Sequence, residues 1–333
     1  MTEARLHAIF ERFGKVKAAV IGDVCLDAYW HADMRRSELS RETPHYNRPV
    51  YRERYSGGAL ANVAANLAAL GVGKVAVFTI LGRDWRSGIL LDILKKQGID
   101  TSGILLSAER LTPAFLKPIL EGYESSQEAE RFDFLTDRPP EAEELERLAV
   151  SLEESVNELD CVLCGDQVLD GVMTPELAGR LSGLAGRKER TVFTADSRYK
   201  IQQFRSMVWK PNDMEASKAL GISEMGDRRA IAGELLAMGA SRVFMTVGEE
   251  GCVVADSQKT VEIPGFRVQP PLDIVGAGDA FHSITAVSLA AGCSSEEAGF
   301  LGNMAAAVTV AKVGITGTAS QGEILDLFRN QTQ

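Results

Sequence analysis

Short apolar runs alternate along this chain with stretches whose apolar residues recur at helical spacing. The runs predict buried strands at residues 16–21, 75–81, 161–165, 191–195, 207–210 and 243–247. The stretches predict helices at residues 58–70, 85–97, 141–158, 174–184, 214–220, 228–238, 278–291, 295–313 and 321–329. Such alternation is typical of a mostly parallel sheet covered by helices on both faces. The sequence therefore predicts a doubly wound α/β fold, in a single domain over residues 1–333.

Two segments interrupt the alternation. Residues 29–56 and 112–136 are rich in strand-forming residues, prolines and charges and have no helical period. We expect them to form a small β-sheet over the carboxyl ends of the strands, where open α/β sheets bind ligands. Such a lid would exclude water from the site. Because a lid exposes strand edges that a second lid would cover, we expect a homodimer through the lid.

The composition narrows the classes of protein and partner. The chain has 333 residues, 45% of them hydrophobic and 25% charged, which is ordinary for a soluble globular protein. No run approaches the roughly 20 apolar residues of a membrane span, and the charged N-terminus lacks a signal-peptide core, so we expect a cytoplasmic protein without a membrane partner. A net charge of −10 argues against a nucleic-acid partner. Cys161 and Cys164 have no second C-x-x-C beside them, which favours buried thiols over a zinc site.

An arginine-rich stretch opposes the net acidity. Between residues 35 and 54 lie Arg35, Arg36, Arg41, Arg48, Arg52 and Arg54. A solvated surface with salt bridges explains most of these side chains. Arginines concentrated on an acidic protein also suit a ligand that carries phosphate.

The strongest chemical signal is the run Asp-Ile-Val-Gly-Ala-Gly-Asp at residues 273–279. Two glycines and an alanine precede Asp279 at the start of a predicted helix, whose first N–H groups lack backbone partners. Gly276 and Gly278 allow close approach, so the loop predicts a cradle for phosphate or an oxyanion. Asp279 is placed to take a proton from an attacking hydroxyl. The simpler alternative is a glycine-rich turn capped by Asp279.

Two further groups of polar residues lie near the start of the chain. Asp27 follows the first predicted strand and either binds a pair of sugar hydroxyls or forms an Asx turn. Gly57 and Gly58 form a turn before a helix that carries Asn62 in its first turns. The backbone can approach a polar ligand closely there, although helix packing explains the same glycines.

Later strand ends carry similar signals. Asn212 and Glu215 lie between a strand and a helix, where they either orient phosphate or hydrated Mg²⁺ or cap the helix. Thr246, Gly248 and Gly251 end another strand, in a turn that suits either a nucleotide or a tight hairpin.

Taken in order, these motifs resemble those of the ribokinase-like (PfkB) carbohydrate kinase family. The resemblance covers nearly the whole chain through residues 21–27, 57–62, 82–88, 210–215, 246–251 and 273–279. The last segment closely matches the family signature D-T-x-G-A-G-D, with Ile274 in place of threonine. The resemblance implies an ATP-dependent sugar kinase with a doubly wound α/β domain and a β-lid.

The resemblance also implies residue roles. Asp279 would be the catalytic base, beside an anion hole formed by Gly276, Ala277 and Gly278. The sugar would be held by Asp27, Gly57, Gly58 and Asn62. ATP would be bound near Asn212, Glu215, Thr246, Gly248, Gly251 and Asn303. Mg²⁺ would lie near Glu215, and a monovalent cation such as K⁺ near Asp273 and Val275.

Within the family, the sequence is similar to the kinases of heptose 7-phosphate. The similarity lies in residues 22–30, in Arg131-Phe-Asp133 and in the segment of Lys117, which corresponds to a phosphate-binding lysine. It implies a sugar-phosphate acceptor. Residues 40–47 and 166–171 depart from that subfamily by losing an acidic residue and a lysine. No nucleotidyltransferase domain follows, so we expect no adenylyl transfer from this chain. A kinase of an unphosphorylated sugar or nucleoside, and a non-catalytic sugar or nucleotide sensor, are the alternatives.

Overall fold

A computed structural model describes residues 1–136, 138–188, 190–223 and 226–331. Its strands are β1 (Lys17–Gly22), β2 (Val24–Asp33), β3 (Val50–Ala59), β4 (Lys74–Gly82), β5 (Ile104–Ser107), β6 (Ala114–Glu121), β7 (Ser126–Glu128), β8 (Phe132–Phe134), β9 (Cys161–Asp166), β10 (Val192–Ser197), β11 (Val208–Trp209), β12 (Arg242–Thr246), β13 (Gly251–Ala255) and β14 (Thr260–Pro264). Its α-helices are α1 (Glu3–Phe13), α2 (Leu60–Ala69), α3 (Trp85–Lys96), α4 (Ala142–Ser155), α5 (Pro175–Arg187), α6 (Asp213–Leu220), α7 (Arg228–Ala237), α8 (Ala277–Ala290), α9 (Ser295–Val310) and α10 (Gln321–Gln331).

The central sheet has nine strands in the order β14-β13-β12-β11-β10-β9-β1-β4-β5. The strands from β5 to β12 pair in parallel, and only β13 and β14 join antiparallel. The doubly wound, mostly parallel fold is thus confirmed, and the predicted strands correspond to β1, β4, β9, β10, β11 and β12. The sequence pattern did not reveal α1, β5 or the hairpin of β13 and β14. β5 and β14 are edge strands, and their partly exposed residues do not form the apolar run of a central strand, whereas β13 is buried between β12 and β14.

Neighbouring residues of a strand point to opposite sides of a sheet, and helices cover both sides of the central sheet. Ala18 and Val20 of β1 pack in one core with α1, α2, α8, α9 and α10. Ala19 and Ile21 pack in the other core, with α4, α5, α6 and α7. The predicted helices are confirmed as the layers that cover these two faces.

The lid sheet consists of β2, β3, β6, β7 and β8, with the strand order β3-β2-β6-β7 and with β8 paired to β6. Its first two strands, β2 and β3, begin at residue 24 and end at residue 59, beyond the predicted limits of 29–56. The chain passes from β1 to β2 through Gly22, whose φ of +132° and whose contact with the Gly165 carbonyl exclude a side chain. Asp23 then accepts hydrogen bonds from the backbone N–H groups of residues 167, 168 and 172, which fix the turn between β1 and β2 to the loop after β9.

This arrangement corrects the local structure predicted around two motifs. Asp27 lies within β2 and pairs across the sheet with Ser56 and Phe115, so it forms no Asx turn. Gly57 and Gly58 lie in β3, and the helix begins only at residue 60. All five cysteines are buried and free. Within the described ranges, no helix has the length and apolarity required to cross a bilayer.

Candidate active site

A cavity of about 730 Å³ lies between the lid sheet and the carboxyl ends of the central strands. The predicted site residues that line it are Asp27, Gly58, Lys117, Arg131, Asn212, Glu215, Val275, Gly276, Gly278 and Asp279. Both sheets contribute to this set, and α6 and α8 begin at the cavity. The predicted sugar and phosphate sides therefore face one cavity.

The loop before α8 presents free backbone donors to the cavity. Gly276 has a φ of +85°, and a Cβ atom there would lie 2.9 Å from the Asn62 amide nitrogen, so the position favours glycine. The N–H of Ala277 donates to the Ile274 carbonyl at 3.2 Å and is not available to a ligand. In the described structure, the N–H groups of Gly276, Gly278 and Asp279 have no acceptor. These three groups, at the positive end of the α8 dipole, form a suitable cradle for an anion.

Asp279 lies in the first turn of α8 beside these donors. Its Oδ2 accepts a hydrogen bond from Asn62 Nδ2 at 2.7 Å. Burial raises the pKa of Asp279 to about 6, against the bond from Asn62, which lowers it. A carboxylate with such a pKa is ionised at neutral pH and is a stronger base than an exposed aspartate.

Lys210 and Asp196 form a buried ion pair at the same end of the cavity, with Nζ and Oδ2 3.1 Å apart. Lys210 is 5% exposed. Burial alone would lower its pKa, but the charges of Asp196 and Glu215 raise it, so the ammonium group is retained. The Nζ atom lies 3.7 Å from the position that a Cβ atom on Gly278 would occupy. The sequence analysis included Lys210 in a motif but gave it no role, and it did not name Asp196. Their positions at the carboxyl ends of predicted strands are the feature of the sequence that could have indicated them.

The lid forms the opposite wall of the cavity. Asp27 is 5% exposed, and Lys117 Nζ lies 3.8 Å from its Oδ1 atom. Lys117 also donates to the Tyr29 hydroxyl at 3.3 Å, because residues 29 and 117 are opposite each other in the paired strands. A Cβ atom on Gly58 would lie 3.1 Å from the Asp27 carboxylate, so glycine there keeps this carboxylate accessible. Burial raises the pKa of Asp27, and Lys117 acts in the opposite direction.

The arginine-rich stretch at residues 35–54 suggested a phosphate ligand, but none of its arginines lines the cavity. Arg35 pairs with Asp33 and Arg54 stacks on the Tyr29 ring, as a surface with salt bridges and stacking contacts would. The cavity contains Arg131 and Arg198 instead. Arg131 is paired with Asp133, whereas Arg198 has no acidic partner within 4 Å in the described part of the chain. Local clustering in sequence did not predict which arginines the fold would bring to the site.

Asn212 and Glu215 cap α6 and also line the cavity. Asn212 Oδ1 accepts the Glu215 N–H at 2.8 Å, and Glu215 Oε2 accepts the Asn212 N–H at 2.9 Å. The cap uses one carboxylate oxygen of Glu215. The predicted capping role is confirmed, and the role near phosphate or Mg²⁺ stays a prediction.

The other predicted nucleotide residues do not line this cavity. Thr246 ends β12, and Gly248 lies in a 3₁₀ turn (Gly248–Glu250) of the hairpin that leads into β13. Gly251 has a φ of +108°, and a side chain there would clash with the Ile263 carbonyl. The buried Asn303 amide donates to the carbonyls of Ile263 and residue 264. The structure therefore gives Gly251 and Asn303 a role in local folding. Nucleotide binding by Thr246, Gly248, Gly251 and Asn303 stays a prediction.

The residues predicted beside a monovalent cation form part of a loop contact. Asp273 Oδ1 accepts the Val275 N–H at 3.0 Å, and its Oδ2 accepts the Gly314 N–H at 2.9 Å. The carboxylate thus connects the loop before α8 to the loop after α9. Cation binding at this position stays a prediction.

His282 lies one turn after Asp279 on the buried side of α8. Its Nε2 atom lies 2.7 Å from Thr194 Oγ1, and its Nδ1 atom has no partner among the described residues. Burial lowers the pKa of His282 to about 4. The side chain is therefore neutral in the folded protein at neutral pH.

We expect His282→Gln to reduce the loss of stability in acid. An unfolded histidine titrates near pH 6.5, so the unfolded state binds the extra proton first and stability falls as the pH drops from 6.5 towards 4. For wild type, His282 contributes a loss on the order of 2 kcal/mol between pH 7 and pH 5. Urea unfolding at both pH values measures it, with the exposed His45→Gln as control. Parallel losses in wild type and His282→Gln would contradict this prediction.

Solved structures share the fold. Phosphofructokinase-2 from Escherichia coli, in complex with potassium, superposes with a TM-score of 0.73 at 19% identity, over 96% of this chain and 100% of that one. Ribokinase from Arabidopsis thaliana, complexed with ribose and ATP, superposes with a TM-score of 0.71 at 16% identity, over 94% of this chain and 99% of that one. The molecule is therefore an α/β protein of the ribokinase-like class.

The sequence comparison identifies the family. The pfkB family of carbohydrate kinases matches residues 17–321, and the chain belongs to this family. It is 30% identical to the bifunctional protein HldE of Trichlorobacter lovleyi and 31% identical to that of Geobacter sulfurreducens, in each case over 98% of this chain. The chain spans about 65% of the length of these relatives.

Proposed function

We propose that this protein transfers the terminal phosphoryl group of ATP to a hydroxyl of a sugar phosphate. The observation that carries the proposal is that Asp279 and free backbone donors lie at one end of the cavity, opposite Asp27 and Lys117. An acceptor held on the lid would direct a hydroxyl towards Asp279. Family membership supports phosphoryl transfer to a carbohydrate.

Asp279 acts as the general base in this proposal. Its carboxylate takes the proton from the acceptor hydroxyl while the oxygen bonds to the γ-phosphorus, and ADP leaves with the electron pair of the broken P–O bond. The hydrogen bond from Asn62 orients the carboxylate. General-base catalysis contributes about 10²–10⁴-fold to the rate.

The charge on the transferred group is stabilised from two sides. The N–H groups of Gly276, Gly278 and Asp279 face it from the start of α8, and Lys210 supplies a fixed positive charge nearby. In the described residues, no cluster of three or more acidic, His or Cys side chains forms a metal site. Glu215 would supply one carboxylate near hydrated Mg²⁺, which typically keeps several waters and binds substrate phosphates.

The acceptor side favours a sugar that already carries phosphate. Asp27 is a carboxylate acceptor for sugar hydroxyls, and Lys117 and Arg131 are cations on the same wall. Arg198, exposed at the cavity and without an acidic partner among the described residues, adds a cation that can pair with a phosphate group. The similarity to HldE makes heptose 7-phosphate the first acceptor to test, with the 1,7-bisphosphate as the expected product.

An ADP-release assay with ATP and Mg²⁺ tests this proposal against three groups of acceptors: sugar phosphates including heptose 7-phosphate, free sugars, and nucleosides. We expect turnover with sugar phosphates only. Turnover with free sugars or nucleosides would reject the acceptor class and retain the kinase. The absence of turnover with every acceptor, together with binding of ATP or sugar, would favour the sensor.

We expect kcat/KM to rise with pH through an apparent pKa of about 6 and to level off above pH 7, because Asp279 must be ionised to accept a proton. A phosphorylated acceptor titrates near the same pH. Asn62→Leu separates the two, since it removes a hydrogen bond that lowers the pKa of Asp279 and should move the limb to higher pH. A limb at the same pH in this variant would contradict the assignment to Asp279.

Two further expectations stay proposals. A homodimer through the lid would cover the exposed side chains of Val50, Tyr51 and Phe132. Sedimentation in the analytical ultracentrifuge measures the mass of the assembly and so tests this proposal. We also propose a monovalent cation beside Asp273 and Val275, and a loss of turnover when K⁺ is replaced by a bulky organic cation would show the dependence on K⁺ that this proposal expects.

A further inference from the structure

Thr316 lies where three parts of the site meet. It belongs to the loop between α9 and α10 and lines the cavity. Its Oγ1 donates to Asp27 Oδ2 at 3.2 Å and lies 3.5 Å from the Tyr29 hydroxyl. Its Cγ2 methyl lies 3.3 Å from the position that a Cβ atom on Gly276 would occupy. One side chain therefore contacts the lid wall and lies beside the anion loop.

The hydroxyl restricts the orientation of a buried carboxylate. Lys117 lies beside Oδ1 of Asp27, and Thr316 donates to Oδ2. With both oxygens held, the remaining lone pairs have fixed directions towards the cavity, which is what recognition of a pair of hydroxyls requires. Thr316 also favours the ionised form of Asp27, since its hydrogen bond lowers the pKa that burial raises.

The position of the loop does not depend on the Thr316 hydroxyl alone. Arg54 Nη2 donates to the Gly314 carbonyl at 2.6 Å, and Asp273 accepts the Gly314 N–H. Lys312 Nζ donates to the Thr318 carbonyl at 2.5 Å. These contacts should keep the loop in place when the hydroxyl is removed, so a variant at residue 316 tests the side chain.

We propose that Thr316 is a positioning residue for acceptor binding, with two separable parts. The hydroxyl orients Asp27 for the acceptor hydroxyls, and the methyl group supports the turn at Gly276 that holds the transferred phosphoryl group. This inference rests on the proposed function, in which Asp27 binds the acceptor. Thr316 thereby keeps Asp27 on the lid and the loop at Gly276 at a fixed separation.

Two conservative substitutions separate the parts. Thr316→Val keeps a methyl group at the turn and removes the hydroxyl, so we expect the acceptor KM to rise ~10-fold while kcat and the KM for ATP stay within about twofold. Thr316→Ser keeps the hydroxyl and removes the methyl, so we expect an acceptor KM close to that of wild type and a severalfold lower kcat. Thr260→Val, on the edge strand β14 outside the cavity lining, is the matched control.

The outcomes distinguish this inference from the proposed function. Turnover by wild type with an unchanged acceptor KM in Thr316→Val would overturn the inference and leave the kinase intact. An equal rise in the KM for ATP, or an acceptor KM in Thr316→Ser as high as in Thr316→Val, would also overturn it. No turnover by wild type with any acceptor would overturn the proposed function and this inference with it. Thr316→Ala, which should show both effects, serves if Thr316→Val does not fold.

Discussion

Asp279→Asn is expected to reduce kcat by at least about 10²–10⁴-fold while ATP binding stays close to that of wild type. The amide keeps the size of the carboxylate and a hydrogen bond with Asn62, but it cannot take a proton from the acceptor hydroxyl. The ADP-release assay at saturating substrates measures kcat, and titration calorimetry measures ATP binding. Full turnover by Asp279→Asn would exclude Asp279 as the base.

The matched control is Asp326→Asn, on the exposed surface of α10, which should keep full turnover.

Thermal unfolding of Asp279→Asn adds an independent measurement. Because the pKa of Asp279 is raised in the folded state, folding binds a proton between about pH 4 and pH 6, and stability falls as the pH rises through that range. Asp279→Asn should therefore be at least as stable as wild type at pH 7.5. A loss of activity without a loss of stability would separate catalysis from folding.

Lys210→Met is expected to lower the free energy of unfolding by about 3–5 kcal/mol, because it leaves the charge of Asp196 buried without a partner. Both side chains of the pair are less than a tenth exposed, so solvent screens the remaining charge weakly. Urea unfolding at pH 7.5 measures the change. Loss of the fixed charge beside the anion loop should also reduce kcat under conditions where the variant is folded.

Two variants identify the buried charge as the cause. Lys210→Met combined with Asp196→Asn removes both charges and should recover much of the lost stability. Lys259→Met breaks an ion pair with Glu296 in which both side chains are about half exposed, and should cost no more than about 1 kcal/mol. Equal losses in Lys210→Met and Lys259→Met would show that the buried pair has no special weight.

The site was predictable from sequence where its geometry is local. The run of residues 273–279 encodes the start of a helix, because glycine, helix spacing and an acidic residue in the first turn act over a few positions. The structure places the predicted loop there, although Ala277 donates its N–H within the loop and the free donors come from its neighbours. Asn212 and Glu215 form the capping box that their spacing indicates.

The sequence misled where the geometry depends on distant segments. The arginines of residues 35–54 are neighbours along the chain, yet the cavity contains Arg131 and Arg198. Asp27 was expected in a loop after the first strand, but Gly22 directs the chain at once into the lid sheet, where Asp27 pairs with two other strands. Periodicity shows which face of a strand a residue lies on and does not show which strand lies beside it.

The sequence alone determined the class of fold and the start of α8 with an acidic residue in its first turn, because hydrophobic periodicity and helix-end geometry are set by residues close together in the chain. Only the tertiary structure decided that Lys210 is paired with Asp196, that Thr316 contacts Asp27, and which cations line the cavity. Those contacts join residues from separate strands and loops, up to 289 positions apart. Their partners are selected by the packing of the two sheets, which no local pattern encodes.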